Sequence, residues 1–186
     1  MEVFEKLLDP ELYAYFKNAT FYENPVFHTA HKMVDFYIEF ENVIPLEIYE
    51  QIITKLQLSL HAHVKLHMHT KNSVIEMDEL DRYVNYFVEK YSDVKDFRFL
   101  HPYLENDTIC FSTRDESRLA ALNLALPSLM EKLEDVGITQ EIVCKKVEDD
   151  IEIETAKVQV NAPVVKQEPI KKQYPSSNSY KKESAT

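Results

Sequence analysis

Two stretches of the chain alternate apolar and polar residues with a period of two. In Met33–Glu41, Val34, Phe36, Ile38 and Phe40 share one parity and Asp35, Tyr37, Glu39 and Glu41 the other. In His61–Thr70, Ala62, Val64, Leu66 and Met68 oppose His61, His63, Lys65, His67 and His69. Such alternation marks strands with one face buried, and in Met33–Glu41 it reads as a half-buried antiparallel strand. Between them Pro45 opens a segment whose apolar residues Tyr49, Ile52, Ile53, Leu56 and Leu60 follow helical spacing. Upstream, Asp9-Pro10 fits a helix start with Asp as cap and Pro at the first position, Phe4, Leu7 and Leu8 suggest a preceding helical turn, and Ala19–Glu23 reads as a short strand ended by Asn24-Pro25.

Downstream, Leu80, Tyr83, Val84, Phe87, Val88 and Tyr91 predict an amphipathic helix and Thr108–Thr113 a strand. Thr113-Arg-Asp-Glu116 matches a capping box. It opens a helix through Leu119, Leu122, Leu126, Leu129 and Leu133, which Pro127 is expected to kink or split. Gly137 closes that helix, and Ile138–Val147 returns as a strand. The order α-β-β-α-β, then α-β-α-β, predicts an α+β fold of antiparallel or mixed sheets with helices packed on one face. The expected division is an N-terminal subdomain over residues 1–72, a second over 73–146, and a flexible linker or tail over 147–186, where Lys, Pro and Ser accumulate and large apolar residues thin out.

The composition narrows the chemistry. Of 186 residues one is glycine, Gly137. A P-loop, a GxGxxG turn, a GxSxG elbow and a GxxG clamp all need more. The net charge is −11, which disfavours direct nucleic-acid binding, because that requires cations to displace condensed counterions. No apolar run is long enough for a membrane span, MEVFEKLLDP lacks the features of a signal peptide, and Cys110 and Cys144 are too few for a disulfide framework. A cytoplasmic protein is the expectation.

The tract HAHVKLHMH is the most conspicuous cluster. On a strand His61, His63, His67 and His69 line one face, where alternate histidines can ligate zinc. Lys65 in their midst repels a dication, and the apolar opposite parity makes these histidines the polar side of an amphipathic strand. No metal is therefore expected, although these four are the candidate ligands. Glu76, Asp78, Glu79 and Asp81 surround a helix start, where negative charge is favoured, and Glu148, Asp149 and Asp150 begin the tail; neither set has the spacing of a calcium loop. Both cysteines fall within strands as small apolar residues. Tyr37, an aromatic on a polar parity among acids, is a candidate protein-contact anchor. No catalytic residue and no cofactor are expected.

Taken in order, YFKNATFYENPVFHTAHKMVDFYIEFENVIPLEIYEQIITKLQLSLHAHVKLHMH and DFRFLHPYLENDTICFSTRDESRLAALNLALPSLMEKLEDVGI resemble the N-terminal, non-catalytic region of PolC-type DNA polymerase III alpha subunits, across residues 1–146. The resemblance implies a parent chain with DNA-directed DNA polymerase and 3'-5' exonuclease activities, none of whose catalytic residues lies here. It implies a KH-like fold similar to the alpha-binding domain of the clamp-loader tau subunit, and a tail that tethers further domains. It also implies docking to a replisome protein, the tau subunit or the single-strand-binding protein; the polar face of the two alternating strands, including Tyr37, His63 and His67, is the expected contact surface. The alternative reading is a module for single-stranded nucleic acid, contacted through the His/Lys strand face and the Lys-rich tail.

Overall fold

The computed structural model describes residues 1–148, and Met1–Glu148 form one unit by their internal contacts. The linker expected over 147–186 lies, from residue 149 on, outside the described residues.

Helices α1 (Glu2–Leu7) and α2 (Pro10–Tyr13) lead through a 3-10 turn, Ala14–Phe16, into strands β1 (Thr20–Phe21) and β2 (Val26–His28). Pro10 occupies the first turn of α2 behind Asp9, as its fixed φ favours. β1 and β2 both pair antiparallel with β3 (Met33–Asn42), β1 against Ile38 and Glu39 and β2 against Met33, Val34 and Asp35. They act as one edge strand broken at Asn24-Pro25, and β2 is the piece that periodicity missed. Helix α3 (Leu46–Leu60) then carries the chain to β4 (His63–Asn72), which runs parallel to β3 from Met33↔His63 to Asn42↔Asn72. The antiparallel strand expected over Met33–Glu41 holds against β1 and β2, while its neighbour on the other side, β4, is parallel. A crossover helix returns the chain to the end at which β3 began, so the next strand must run alongside it.

The second half repeats this plan. Helix α4 (Met77–Lys90) and a 3-10 segment, Ser92–Phe97, precede β5 (Tyr103–Glu105) and β6 (Thr108–Thr113), an antiparallel pair. Helix α5 (Glu116–Glu134) crosses to β7 (Ile142–Lys146), parallel to β6. Each half is thus an antiparallel pair, a crossover helix and a parallel strand, and the mixed sheets bear out the α+β expectation.

One apolar core runs through both halves. Val34, Phe36, Ile38 and Phe40 of β3 and Val64, Leu66 and Met68 of β4 are buried, as the alternation requires. Phe4 stands among Phe16, Phe21 and Phe36 at ring distances of 4.8, 5.8 and 5.1 Å, and burying such a ring stabilises by about 1.5–3 kcal/mol. Tyr83 is fully buried and donates its hydroxyl to the Ile44 carbonyl at 2.6 Å.

Three local expectations change. Thr113 and Glu116 do not form a capping box: Asp115 is the cap of α5, its carboxylate accepting the Ser117 and Arg118 N–H groups, while Glu116 pairs with Lys146 at 2.8 Å. Pro127 does not split α5, because Leu122, Ala125, Leu129 and Leu133 stay buried along one face, and their packing offsets a proline penalty of about 3 kcal/mol. His61 is not on β4; it sits past the end of α3 with φ 51°, and the strand starts two residues later. Gly137, by contrast, closes α5 as read: Gly137 N–H bonds the Glu134 carbonyl and Ile138 N–H the Leu133 carbonyl, both at 2.9 Å, around a φ of +83°. That is the Schellman pattern, with glycine at the left-handed position.

Candidate partner-binding face

The β3–β4 register builds the site. Because the strands are parallel and in step, residues of the outward parity meet in rows: Asp35 beside Lys65, Tyr37 beside His67 and Glu39 beside His69. The second row is an aromatic stack, with the Tyr37 and His67 rings 4.7 Å apart and 8° from parallel. Tyr22, which follows β1, extends it. Its ring lies edge-on to Tyr37 at 5.9 Å and stacks flat on His69 at 3.9 Å and 3°. A ladder of His69, Tyr22, Tyr37 and His67 therefore crosses the outer face of the first sheet. Burial, helped by the nearby charges of Glu23 and Asp135, pushes the Tyr22 hydroxyl pKa up.

His67 also binds the two halves together. Its Nδ1 lies 3.0 Å from Asp135 Oδ1, and Asp135 Oδ2 takes the Lys65 ammonium at 3.2 Å. The other ring nitrogen, Nε2, is buried with no hydrogen-bond partner among the described residues. At the far end of the face Asp35 is 8% exposed and accepts from His28 Nε2 at 3.0 Å.

The other candidates scatter. His63 is exposed at the start of β4, and His61 lies off the strand. Among the described residues no group of three or more His, Cys, Asp or Glu is placed to hold a metal ion. The carboxylates around α4 have structural work: Glu79 accepts the Leu46 N–H at the start of α3, and Asp81 takes His101 Nδ1 at 3.0 Å. Asp149 and Asp150 lie outside the described residues. Cys110 is buried and Cys144 half-buried, both as free thiols. Burial first, and the neighbouring Cys110 second, push the Cys144 thiol up to about 11. Sequence reading did not single out Tyr22, which fell within the strand expected over Ala19–Glu23, or Asp135, which stands 68 residues from the histidine it holds.

The stretch that builds this face is also the one with a known counterpart. Residues 2–70 match the family described as DNA polymerase III polC-type N-terminus I. The matched PolC-type segment ends within β4 and contains Tyr22, Tyr37, His63, His67 and His69. It covers the first of the two stretches that carried the resemblance; residues 96–138, and with them Asp135, lie beyond it. PolC-type DNA polymerase III is a replication enzyme, so the comparison supports a replication-polymerase module. No curated protein and no solved structure matches the chain. Among the described residues no helix is long and apolar enough to cross a membrane.

Proposed function

We propose that this chain is a non-catalytic docking module of a PolC-type replicative polymerase, with 1–72 and 73–146 as its two subdomains. The outer face of β3 and β4 contacts another replisome protein, the clamp-loader tau subunit or the single-strand-binding protein. The observation that carries the reading is the stacked Tyr37–His67 pair, a half-buried aromatic surface set within the stretch that matches the PolC-type family. Rigid, partly exposed aromatic groups ringed by charge are what protein-contact hot spots are built from. Exposed His63 stands on the same face. The KH-like outline is part of this proposal.

The test is affinity of the full chain for purified tau subunit and for purified single-strand-binding protein. Tyr37 is partly buried, so Tyr37→Phe, which keeps the stack, is used beside Tyr37→Ala, together with His63→Ala, which opens no cavity. Tyr37→Ala and His63→Ala should each weaken binding by about 1–2 kcal/mol, with the melting temperature of His63→Ala unchanged. Wild-type affinity in both alanine variants, or no binding to either protein, would reject this surface. Tight, steeply salt-dependent binding of single-stranded oligonucleotides would favour the nucleic-acid reading instead.

A further inference from the structure

Phe99 is the most exposed aromatic ring among the described residues, at 83%, and its φ of 64° lies in the left-handed region. A bulky side chain rarely takes that backbone conformation, which persists only where neighbouring groups fix it. Here they do so from both sides. Arg118 of α5 donates through Nη2 to the Arg98 carbonyl at 2.7 Å, and Leu100 N–H bonds the Phe97 carbonyl at 3.1 Å. His101 Nδ1 lies 3.0 Å from Asp81 Oδ2 on α4. The ring is held out in water at a fixed corner, so little freedom is left to lose when it meets a partner. Lys90, Lys95 and Arg98 line the surface beside it, against Glu89 and Asp96. Lys95 and Arg98 are exposed, and neither forms an ion pair among the described residues.

A surface of the opposite character lies on the first half of the chain. A shallow groove of about 460 Å³ runs between α2 and α3, with Leu12 and Leu58 as its apolar residues. Leu12 is buried, whereas Leu58 is 69% exposed. Three carboxylates, Asp9, Glu47 and Glu50, line it against one cation, Lys55. Lys55 is paired with Asp9 at 3.2 Å. Glu47 and Glu50 stand exposed on α3, with no ion pair to either among the described residues.

We propose that the chain associates head to tail: the Phe99 corner of one copy seats in the α2–α3 groove of a second, with the ring against Leu58 and with Lys95 and Arg98 facing Glu47 and Glu50. Charge complementarity selects this occupant, because unpaired cations flank the ring and unpaired carboxylates flank the leucine. The net charge of −11 opposes the approach of two copies. At about 0.15 M salt the screening length is about 8 Å, so charges on remote surfaces are damped while groups in contact are not. One ring and one leucine make a small contact, at the weak and reversible end of the interface range. The contact joins two different surfaces, so every pair keeps a free corner and a free groove, and assembly can pass beyond the dimer. The site is separate from the Tyr37–His67 ladder and stands even if the polymerase reading falls.

The experiment is sedimentation velocity of the full chain at about 0.15 M salt, over concentrations from about 0.01 to 1 mM. The weight-average sedimentation coefficient should rise across that range. Phe99→Asp and Leu58→Asp, both at exposed positions, should each stay monomeric with circular dichroism unchanged. Mixed in equal amounts, they should form a complex of two chains and nothing larger. Only the corner of the Leu58→Asp chain and the groove of the Phe99→Asp chain remain intact in that mixture. Arg98→Glu and Glu50→Arg should each weaken association at least about tenfold, and the two together in one chain should restore it. Tyr37→Ala should leave self-association intact, which separates this result from the fate of the docking face. A wild-type chain that stays monomeric to about 1 mM, association undiminished by Phe99→Asp or Leu58→Asp, no complex in their mixture, or charge reversals that do not rescue each other would overturn the proposal.

Discussion

Replacing Gly137 by alanine tests the joint between the two halves. Its φ of +83° is left-handed, and an added Cβ would lie 2.4 Å from Thr70 Cγ2 and 3.2 Å from Thr70 Oγ1. The backbone conformation alone costs a non-glycine residue about 1–2 kcal/mol. The clash adds about 1–3 kcal/mol, because Thr70 is tied in place by its hydroxyl, which donates to the Gly137 carbonyl at 2.6 Å. A total of about 2–5 kcal/mol is a large part of a typical domain's stability of about 5–15 kcal/mol. In urea unfolding followed by far-ultraviolet circular dichroism, with a slope of about 2 kcal/mol per molar, the midpoint should fall by about 1–2.5 M. Thr70→Ser removes the offending methyl group and keeps the hydroxyl, so in that background Gly137→Ala should cost at least about 1 kcal/mol less. A midpoint unmoved by Gly137→Ala, or an equal cost in both backgrounds, would refute the steric argument.

Two further measurements probe the corrected cap and the half-buried thiol of Cys144. Asp115→Ala should destabilise by about 1 kcal/mol through loss of the α5 cap, whereas Glu116→Gln, which touches only the exposed pair with Lys146, should change stability by less than about 0.5 kcal/mol; the reverse order in thermal melts would restore the capping box. Burial favours the neutral thiol of Cys144, so its thiolate should form only as pH rises towards about 11, and alkylation by iodoacetamide at pH 8 should run about a hundredfold slower than for a free cysteine. Alkylation at the rate of a free cysteine, read by mass spectrometry of the native chain, would contradict that environment.

The period-two alternation of β3 and β4, the helical stripes of α3 and α4 and the role of Gly137 were all legible in the linear chain. Each is a local consequence of burying one side of a segment, or of a backbone angle that glycine adopts most readily. The cap of α5 was misassigned because Thr113 and Asp115 both offer a side-chain oxygen near its start, and only the path of the backbone chooses between them. β2 and β5 were missed because three residues are too few for a period to show.

What no local pattern could supply is the set of meetings between distant residues. The direction of β4 follows from where α3 delivers the chain, and that direction is what sets Tyr37 beside His67. Asp135 reaches His67 and Lys65 because the end of α5 packs on the edge of β4. Periodicity reports how each segment divides its faces between core and water; which faces and edges then meet is decided by packing the whole core.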